Sequence, residues 1–535
     1  MSLYLGFDLS TQSCKAVVIN HNLDTVYTTT VNFDKDLSSY STTNGVSIKS
    51  SRGEVKSPSA MFSSAIQLCL ERLQQLGCPM DKIVCVGGSG QQHGSVYLSS
   101  RAVEHILPAS EDGNVDVGEW QNRTHAFTVE NGPIWMDTST SEECKELEDF
   151  IGGNEALAKL TGSKAWERIC LVSSFCAGVL LGHPTSVDYS DAAGMNMMEL
   201  GSRRWSREIC GFIDGCNPDS LIDKLGGQPN DPMGIAGNVS PYWQNRYGFS
   251  PVCTVNYWSG DNPCAAVGMG LLNSGDILVS LGTSDTCLCV LPALPVAPPA
   301  SAFILPHPIK CDSYVAMLVY TNGDVTRRDV KGSKSWTDFG KSISQSSPGA
   351  YVTLFTTTQE ILPSLAQGEP ITAQIESGKD GSVTFNRLGS LPQEGPDYSK
   401  CRAVVEERAL SMRYYIDSEV SSGILEQFPE GRLLITGGGS RNEQIRQVFS
   451  DVFNREVIAL DSPDAAALGA AYKAMLATAK ANGSFTEAEQ RLMTHISQTE
   501  SSSRNAPKAE VSEVYQRMSQ SYGQFERMLI EERRR

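Results

Sequence analysis

Two segments that lie roughly half a chain apart share one plan, and this repetition constrains the fold more than any other feature. Each has an apolar strand, a turn of small hydroxyl-bearing residues and a second apolar strand, a pattern typical of hairpins. The segments are "LGFDLSTQSCKAVVI" at 5–19 and "LVSLGTSDTCLCVL" at 278–291. A duplicated α/β domain would carry one such hairpin in each half and would bring two turns rich in N–H groups face to face across a cleft.

Strand and helix signals alternate along most of the chain, which predicts the α/β class. Leu3, Leu5 and Phe7 alternate with less apolar neighbours, so the first strand is expected to be half-buried. Further strands are predicted at 16–19, at 82–90 with a glycine turn at its end, at 253–260, within 275–291 and within 432–440. Helices are predicted at 60–75, from 262 onward and at 442–453.

The charge and the cysteines limit the class of protein. A formal net charge of −17 over 535 residues argues against nucleic-acid and membrane partners, because both need a basic patch. The 15 cysteines include no C-x-x-C pair and no signal peptide is recognised, which predicts reduced thiols and a cytoplasmic location. The longest apolar stretch, 169–182, is too short to span a bilayer.

Common nucleotide and metal motifs are absent from the sequence. No G-x-x-x-x-G-K-[ST] motif occurs, and no G-x-G-x-x-G follows a strand, which excludes a P-loop and disfavours Rossmann dinucleotide binding. No H-E-x-x-H motif or Cys/His cluster indicates zinc. A phosphate ligand is still compatible with the acidic chain, because a local nest of N–H groups binds anions.

The first hairpin is a candidate phosphate site. Its turn offers N–H and O–H groups, Lys15 adds positive charge, and Asp8 is suited to a hydrated Mg²⁺. The turn residues are Ser10, Thr11, Gln12 and Ser13. The alternative is a plain polar turn closed by an Asx-type bond from Asp8, with Lys15 pointing to solvent.

Four other places carry candidate chemistry, each with a structural alternative. Asp261, between a strand and a helix, is either an N-cap or a general base. His93 in "QQHG" follows a strand end, where α/β proteins bind ligands, although a lone histidine is more often structural. "PIWMDTS" at 133–139 pairs an aromatic ring with a carboxylate, which suits sugar hydroxyls or a plain loop. "TGGGSRN" at 436–442 either admits a flat ring close to the backbone or forms a tight turn.

The order of these motifs along the chain resembles the FGGY family of carbohydrate kinases, in the actin-like ATPase superfamily. The resemblance runs from residue 3 to about 472 and also includes "LTGSKAWER" and "DYSDAAGMNMM". It implies two actin-like (ribonuclease H-like) domains with a catalytic cleft between them. The expected limits are 1–250 for the N-terminal domain, 251–480 for the C-terminal domain and 481–535 for a polar linker and a terminal helix.

The resemblance also implies an activity: transfer of phosphate from MgATP to the 5-hydroxyl of D-xylulose, with another ketopentose or a polyol as the alternative substrate. Asp261 would be the base, Asp8 would orient Mg²⁺, and the chain would be a monomer or a homodimer. The positions that match sugar contacts are His93, Arg168, Asp261 and Asn262. The positions that match ATP contacts are Ser10, Thr11, Gln12, Ser13 and Lys15 in the first phosphate turn, Gly282 and Thr283 in the second, and Trp336, Gly438, Gly439 and Asn442 at the adenosine.

One departure from the family pattern follows Arg168. About two dozen residues that the family carries there are missing by comparison with its usual pattern, and only one of two Glu-Arg pairs survives, at Glu167 and Arg168. If this pair is the second copy, the sugar-contact arginine has been lost. A catalytically impaired nucleotide-binding homologue is therefore a further alternative.

Overall fold

A computed structural model describes most of the chain. The described residues are 2–50, 53–100, 102, 106–109, 115–152, 171–213, 217–296, 299, 301–310, 312–378, 382–420, 430–461, 464–499 and 503–534. Within them, packing separates two compact units. Unit 1 comprises Met1–Leu272, Ile304–Tyr314 and Pro463–Gln498, and unit 2 comprises Asn273–Phe303, Val315–Ser462 and Thr499–Arg535. This division differs from the domain limits at 250 and 480, which stay a prediction.

Strands and helices alternate as the sequence predicts. The strands are β1 (Leu3–Leu9), β2 (Ser13–Asn20), β3 (Thr25–Asn32), β4 (Ile48–Lys49), β5 (Val55–Pro58), β6 (Ile83–Gly90), β7 (Tyr97–Leu98), β8 (Phe127–Val129), β9 (Asn131–Pro133), β10 (Met198–Glu199), β11 (Arg204–Trp205), β12 (Ile235–Asn238), β13 (Thr254–Asn256), β14 (Ser259–Gly260), β15 (Ile277–Leu281), β16 (Asp285–Leu291), β17 (Phe303–Pro306), β18 (Tyr314–Tyr320), β19 (Tyr351–Thr356), β20 (Gly368–Ser377), β21 (Val383–Leu388), β22 (Leu433–Thr436), β23 (Val457–Ala459) and β24 (Arg504–Asn505). The α-helices are α1 (Phe33–Asp36), α2 (Ser59–Gln75), α3 (Val117–Arg123), α4 (Ser141–Ile151), α5 (Val172–Leu181), α6 (Tyr189–Gly194), α7 (Arg207–Ile213), α8 (Pro218–Lys224), α9 (Pro241–Tyr247), α10 (Asp261–Gly268), α11 (Asp324–Lys331), α12 (Trp336–Ser344), α13 (Lys400–Tyr415), α14 (Glu443–Phe453), α15 (Ala465–Ala481), α16 (Phe485–Thr499) and α17 (Ala509–Arg534). No helix in this described part is long and apolar enough to cross a membrane.

Unit 1 is built on a mixed sheet in the order β12-β13-β6-β1-β2-β3, with β14 also paired to β6. Strand β1 is antiparallel to β2 and parallel to β6, and β6 is parallel to β13 and β14. Unit 2 repeats this plan in the order β18-β16-β15-β22-β23-β24, where β15 is antiparallel to β16 and parallel to β22. The predicted duplication of an α/β plan, with one hairpin in each half, is confirmed.

The first strand is more buried than its alternating pattern predicts. All seven residues of β1 are buried, because both faces of the sheet are covered. Leu3, Leu5 and Phe7 belong to one apolar core, whereas Tyr4 belongs to a second core formed with helix α15. The alternation therefore correctly separates two faces, but the prediction that one face is exposed is wrong.

Two other local predictions also need correction. The glycines of "VGGSG" continue strand β6 to Gly90 rather than form a turn, since neighbouring groups lie against them. A Cβ on Gly87 would overlap the Ala470 carbonyl of α15, and one on Gly88 would overlap the Trp258 ring. The predicted strand at 253–260 is divided into β13 and β14. The predicted helices at 60–75 and 442–453 are confirmed as α2 and α14.

Candidate active site

The turn between β1 and β2 is organised around the buried carboxylate of Asp8. Ser10 Oγ donates a hydrogen bond to Asp8 Oδ2 at 2.8 Å, and Ser89 Oγ from β6 donates to Asp8 Oδ1 at 2.9 Å. Ser10 N donates to Ser13 O at 3.0 Å, which closes the turn. Both bonds to Asp8 come from serine hydroxyls and not from main-chain N–H groups, so the turn differs from the Asx-type alternative.

Lys15 lies on the strand opposite Asp8 and in register with it. Its Nζ forms an ion pair with Asp464 Oδ1 at 3.1 Å, at the residue that precedes helix α15. Burial raises the pKa of Asp8, while the bonds from Ser10 and Ser89 and the charge of Lys15 oppose that rise. Because Lys15 forms this ion pair with Asp464, the alternative that it simply points into solvent is wrong.

Trp135 lies beside the same turn. Its Nε1 donates a hydrogen bond to Thr11 Oγ1 at 3.0 Å, and half of the side chain is exposed. Asp137 from the same motif is buried instead, and its carboxylate accepts bonds from Val55 N at 2.8 Å and from Ser139 Oγ at 2.6 Å. The structure therefore separates the aromatic–carboxylate pair: Trp135 faces the turn and Asp137 holds the neighbouring backbone.

Asp261 is the first residue of α10, and Gly260 occupies the N-cap position. The N-cap alternative for Asp261 is therefore wrong, and its carboxylate accepts a hydrogen bond from Asn262 N at 2.8 Å. Burial raises the pKa of Asp261 to about 7, and the nearby charge of Asp8 adds to the rise. A carboxyl group with this pKa is suited to accept a proton near neutral pH.

Sheet register brings Asp8 and Asp261 to one edge. Asp8 pairs with Ser89 of β6, and Ser89 pairs with Ser259 of β14, two residues before Asp261. Because β1, β6 and β14 are parallel, their carboxyl ends meet at this edge, where α/β proteins bind ligands. The two carboxylates that were predicted from distant parts of the sequence therefore belong to one site.

Two further predicted sugar contacts, Asn262 and His93, lie close to Asp261 in the sequence or in the loop after β6. Asn262 Nδ2 donates to Gln92 Oε1 at 2.8 Å, which links the start of α10 to the loop after β6. His93 follows Gln92 in that loop and has φ +62°, a left-handed conformation that is uncommon for residues other than glycine. Arg168, together with the junction at which the family segment is missing, lies outside the described residues.

The second hairpin turn, in unit 2, contains Gly282 and Thr283. Arg327 Nη2 and Asp324 N, at the start of α11, both donate to Gly282 O, at 3.2 and 2.8 Å. Arg327 is itself held by a buried bidentate pair with Asp285 at 2.6 and 2.9 Å. The motif in the sequence contains Asp285, but its partner lies 42 residues away, and no local pattern identified Arg327.

The predicted adenosine residues share one cavity of about 620 Å³ in unit 2. The residues on its wall that the sequence predicts are Trp336, Gly438, Gly439 and Asn442. Asn442 Nδ2 donates to Trp336 O at 2.8 Å, and Asn442 Oδ1 caps helix α14. A Cβ on Gly438 would meet no atom within 4 Å, so this backbone faces open space. The cavity suits a flat ring against an aromatic side chain and a bare backbone.

The donor set around Asp8 fits magnesium. In the part of the chain that the structure describes, no group of three or more His, Cys, Asp or Glu side chains could hold a metal ion. Mg²⁺ in phosphoryl-transfer sites keeps several waters and uses one or two carboxylates together with substrate phosphates. Asp8 supplies one such carboxylate, whose oxygens each accept one serine hydroxyl and keep further lone pairs.

Comparisons with known proteins identify the family of this chain. Residues 277–478 match the model of the FGGY family of carbohydrate kinases, C-terminal domain. Xylulose kinase 2 of Arabidopsis thaliana is 36% identical over 501 residues, covering 88% of this chain and 87% of that protein. Xylulose kinase of Rattus norvegicus is 33% identical over 561 residues, covering 99% and 97%.

Solved structures show the same fold. The crystal structure of xylulose kinase from Rhodospirillum rubrum aligns over 100% of both chains with a TM-score of 0.75 at 16% identity. Ligand-bound xylulose kinase from Lactobacillus acidophilus aligns over 99% of both chains with a TM-score of 0.72 at 16% identity.

Proposed function

Since this chain belongs to the FGGY family of carbohydrate kinases, we propose that it phosphorylates D-xylulose at the 5-hydroxyl with ATP and releases D-xylulose 5-phosphate and ADP. The observation that carries the proposal is the pair Asp8 and Asp261, brought to one sheet edge through Ser89 and Ser259. The names of the relatives support the choice of sugar. A cytoplasmic location is part of the proposal, supported by eleven cysteines that are free and buried.

In the proposed reaction Asp261 accepts the proton of the 5-hydroxyl while that oxygen bonds to the γ-phosphorus of ATP. The bond from the γ-phosphorus to the bridging oxygen breaks, and ADP leaves with the electron pair. The N–H groups of the two hairpin turns would contact phosphate oxygens, and the cavity beside Trp336 would hold the adenosine. Mg²⁺ bound at Asp8 would neutralise negative charge on the phosphates.

The test is a sugar panel assayed with MgATP and purified full-length chain, measuring ADP release. We expect turnover with D-xylulose well above that with D-ribulose, glycerol or no sugar. A clear rate on D-ribulose or glycerol with none on D-xylulose would assign another substrate. If the chain binds ATP but turns over none of the sugars, it is the catalytically impaired nucleotide-binding homologue.

The variant Asp261→Ala tests the assignment of the base. We expect it to lose nearly all turnover and to bind ATP as the unmodified chain does, because Asp261 belongs to unit 1 and the nucleotide cavity to unit 2. The matched control is Asp137→Ala, which removes a carboxylate of unit 1 that binds the backbone at Val55, and we expect it to retain turnover. Retention of turnover by Asp261→Ala would contradict the assignment.

A further inference from the structure

A group of charged and polar side chains is buried next to the chain segment that carries Asp261. We call Asp188, Ser190, Ser259 and Lys473 the buried cluster; each is at most 1% exposed. Lys473 Nζ donates to Ser259 Oγ, and Ser259 Oγ donates to Asp188 Oδ2. Ser190 Oγ donates to the same Asp188 oxygen at 2.6 Å, and Lys473 Nζ is 4.0 Å from that oxygen. Lys473 thus reaches Asp188 chiefly through Ser259.

The position of Lys473 is costly for the fold. It lies in α15, among alanines and other small residues that pack closely on the sheet. Taking a lysine and an aspartate out of water costs several kcal/mol per ion, and apolar residues of similar volume are often as stable or more so. Stability alone therefore does not explain why a lysine occupies this buried position.

The segment that Lys473 reaches is the one that carries Asp261. Ser259 begins β14, Gly260 follows, and Asp261 opens helix α10. Gly260 is enclosed on both sides: a Cβ there would overlap Gln92 Cγ and lie 2.6 Å from Asp191 Oδ1. Gly260 therefore lies in a tight site, and the side chain of Ser259 anchors the residue just before it in the segment that leads to Asp261.

We propose that Lys473 is a positioning residue for the general base: it orients Ser259 and thereby fixes where the Asp261 carboxylate lies. The inference rests on the proposed function for the role of Asp261. Positioning matters for phosphoryl transfer, because a displacement of about 1 Å can lower the rate about 100-fold. Lys473 itself lies in the core and does not act on the substrate.

Two serines make a matched pair for the test. Ser259 and Ser190 are both fully buried and donate to the same oxygen of Asp188, but only Ser259 belongs to the Asp261 segment. We expect Ser259→Ala to lower kcat about 10- to 100-fold with KM for ATP unchanged. Ser190→Ala should keep kcat and show a similar fall in Tm. Equal losses of kcat in the two variants would overturn the proposal.

Lys473 is tested with its charge partner. Lys473→Met alone leaves Asp188 buried without its cation and is expected to unfold the chain. The double variant Lys473→Met/Asp188→Asn removes both charges, so it is expected to fold and to retain ATP binding with the low kcat of Ser259→Ala. Full kcat in a folded double variant would contradict a positioning role.

A readout that needs no activity separates this inference from the proposed function. Hydrogen exchange of the peptide covering residues 257–264 should be faster in Ser259→Ala than in the unmodified chain, and unchanged in Ser190→Ala. If the unmodified chain phosphorylates no sugar, the proposed function fails, and this comparison still decides the inference. Equal exchange in the two serine variants would show that Ser259 does not fix the segment.

Discussion

Asp8 and Asp261 are neighbouring carboxylates with different surroundings, which fit the different roles proposed for them. Burial raises the pKa of Asp8, but the two serine hydroxyls that bind it and the charge of Lys15 favour the ionised form, which is the form that can bind a cation. Asp261 is partly buried near the negative charge of Asp8, and desolvation together with that charge raises its pKa to about 7. In the proposed reaction the two carboxyl groups take different roles, as paired titratable groups in different surroundings do in other enzyme sites.

The raised pKa of Asp261 predicts the pH dependence of the reaction. The base is protonated, and therefore inactive, below its pKa, so kcat/KM for D-xylulose should fall as the pH drops below about 7. A cation at Asp8 offsets the charge that raises this pKa, so the apparent pKa should decrease as free Mg²⁺ increases. Steady-state rates from pH 5.5 to 8.5 at several Mg²⁺ concentrations test this. A profile that is flat across this range would refute it.

The same carboxyl group is expected to destabilise the folded chain at high pH. The folded pKa of about 7 lies above the ordinary value of 3.8, so between these values the unfolded chain releases a proton that the folded chain keeps. Stability therefore falls as the pH rises through this window. Asp261→Asn should be more stable than the unmodified chain at pH 8 by about 2 kcal/mol in urea unfolding, with a smaller difference at pH 5. A variant that is less stable at pH 8 would contradict this account.

At the scale of elements, helix α15 joins the site to the rest of unit 1. It packs against β1 and β6 so closely that glycine is needed at the contact. A Cβ on Gly6 would overlap Ala467 O and Ala471 N, and α15 in turn carries the small residues that let it approach. The helix that supplies Lys473 is thus held against the strand that supplies Asp8.

This contact predicts the effect of a single added methyl group. Gly6→Ala should move α15 away from β1 and lower the free energy of unfolding by about 1–3 kcal/mol. Gly201→Ala is the matched control, since a Cβ there meets no atom within 4 Å, and its effect should stay within about 0.5 kcal/mol. Urea unfolding measures both. If Gly6→Ala leaves the free energy of unfolding unchanged, helix α15 can move away from β1 without loss of stability, and this account is wrong.

At the scale of the whole molecule, unit 2 is completed by the end of the chain. Helix α17 turns one apolar stripe inward, and its buried members are Tyr515, Met518, Tyr522, Phe525 and Leu529. Tyr515 donates to Glu406 and Tyr522 donates to Glu407 at 2.7 Å, both on helix α13. The scattered apolar residues that the sequence shows near its end therefore form a core face, and the predicted terminal helix is confirmed.

Tyr522 provides a test of this terminal contact. Tyr522→Phe keeps the ring but removes the hydroxyl that the buried Glu407 carboxylate accepts, so the free energy of unfolding should fall by about 1–3 kcal/mol. Tyr27→Phe is the control, because that hydroxyl makes an exposed bond to Gly77 O and its loss should be nearly neutral. Thermal unfolding followed by circular dichroism distinguishes them. Equal effects would show that the hydroxyl of Tyr522 does not satisfy Glu407.

The sequence by itself determined the local elements and the order of the motifs. Apolar periodicity and turn chemistry identify both hairpins, helices α2 and α14, and the strand before the glycine loop, because these depend on residues close together in the chain. The candidate residues Trp336, Gly438, Gly439 and Asn442 were instead assigned through the resemblance to the family, and the structure brings them to one cavity.

Only the tertiary structure decided which distant residues meet. Three such contacts depend on strand register and helix packing between residues that are 42 to 214 positions apart. They are the strand pairing of Asp8, Ser89 and Ser259, the ion pair of Asp285 with Arg327, and the hydrogen bond from Lys473 to Ser259. The burial of the second face of β1, which carries Tyr4, was also set by helix α15 from far along the chain. Periodicity reports which residues share a face, but what covers that face is fixed by long-range packing, for which the local sequence carries no signal.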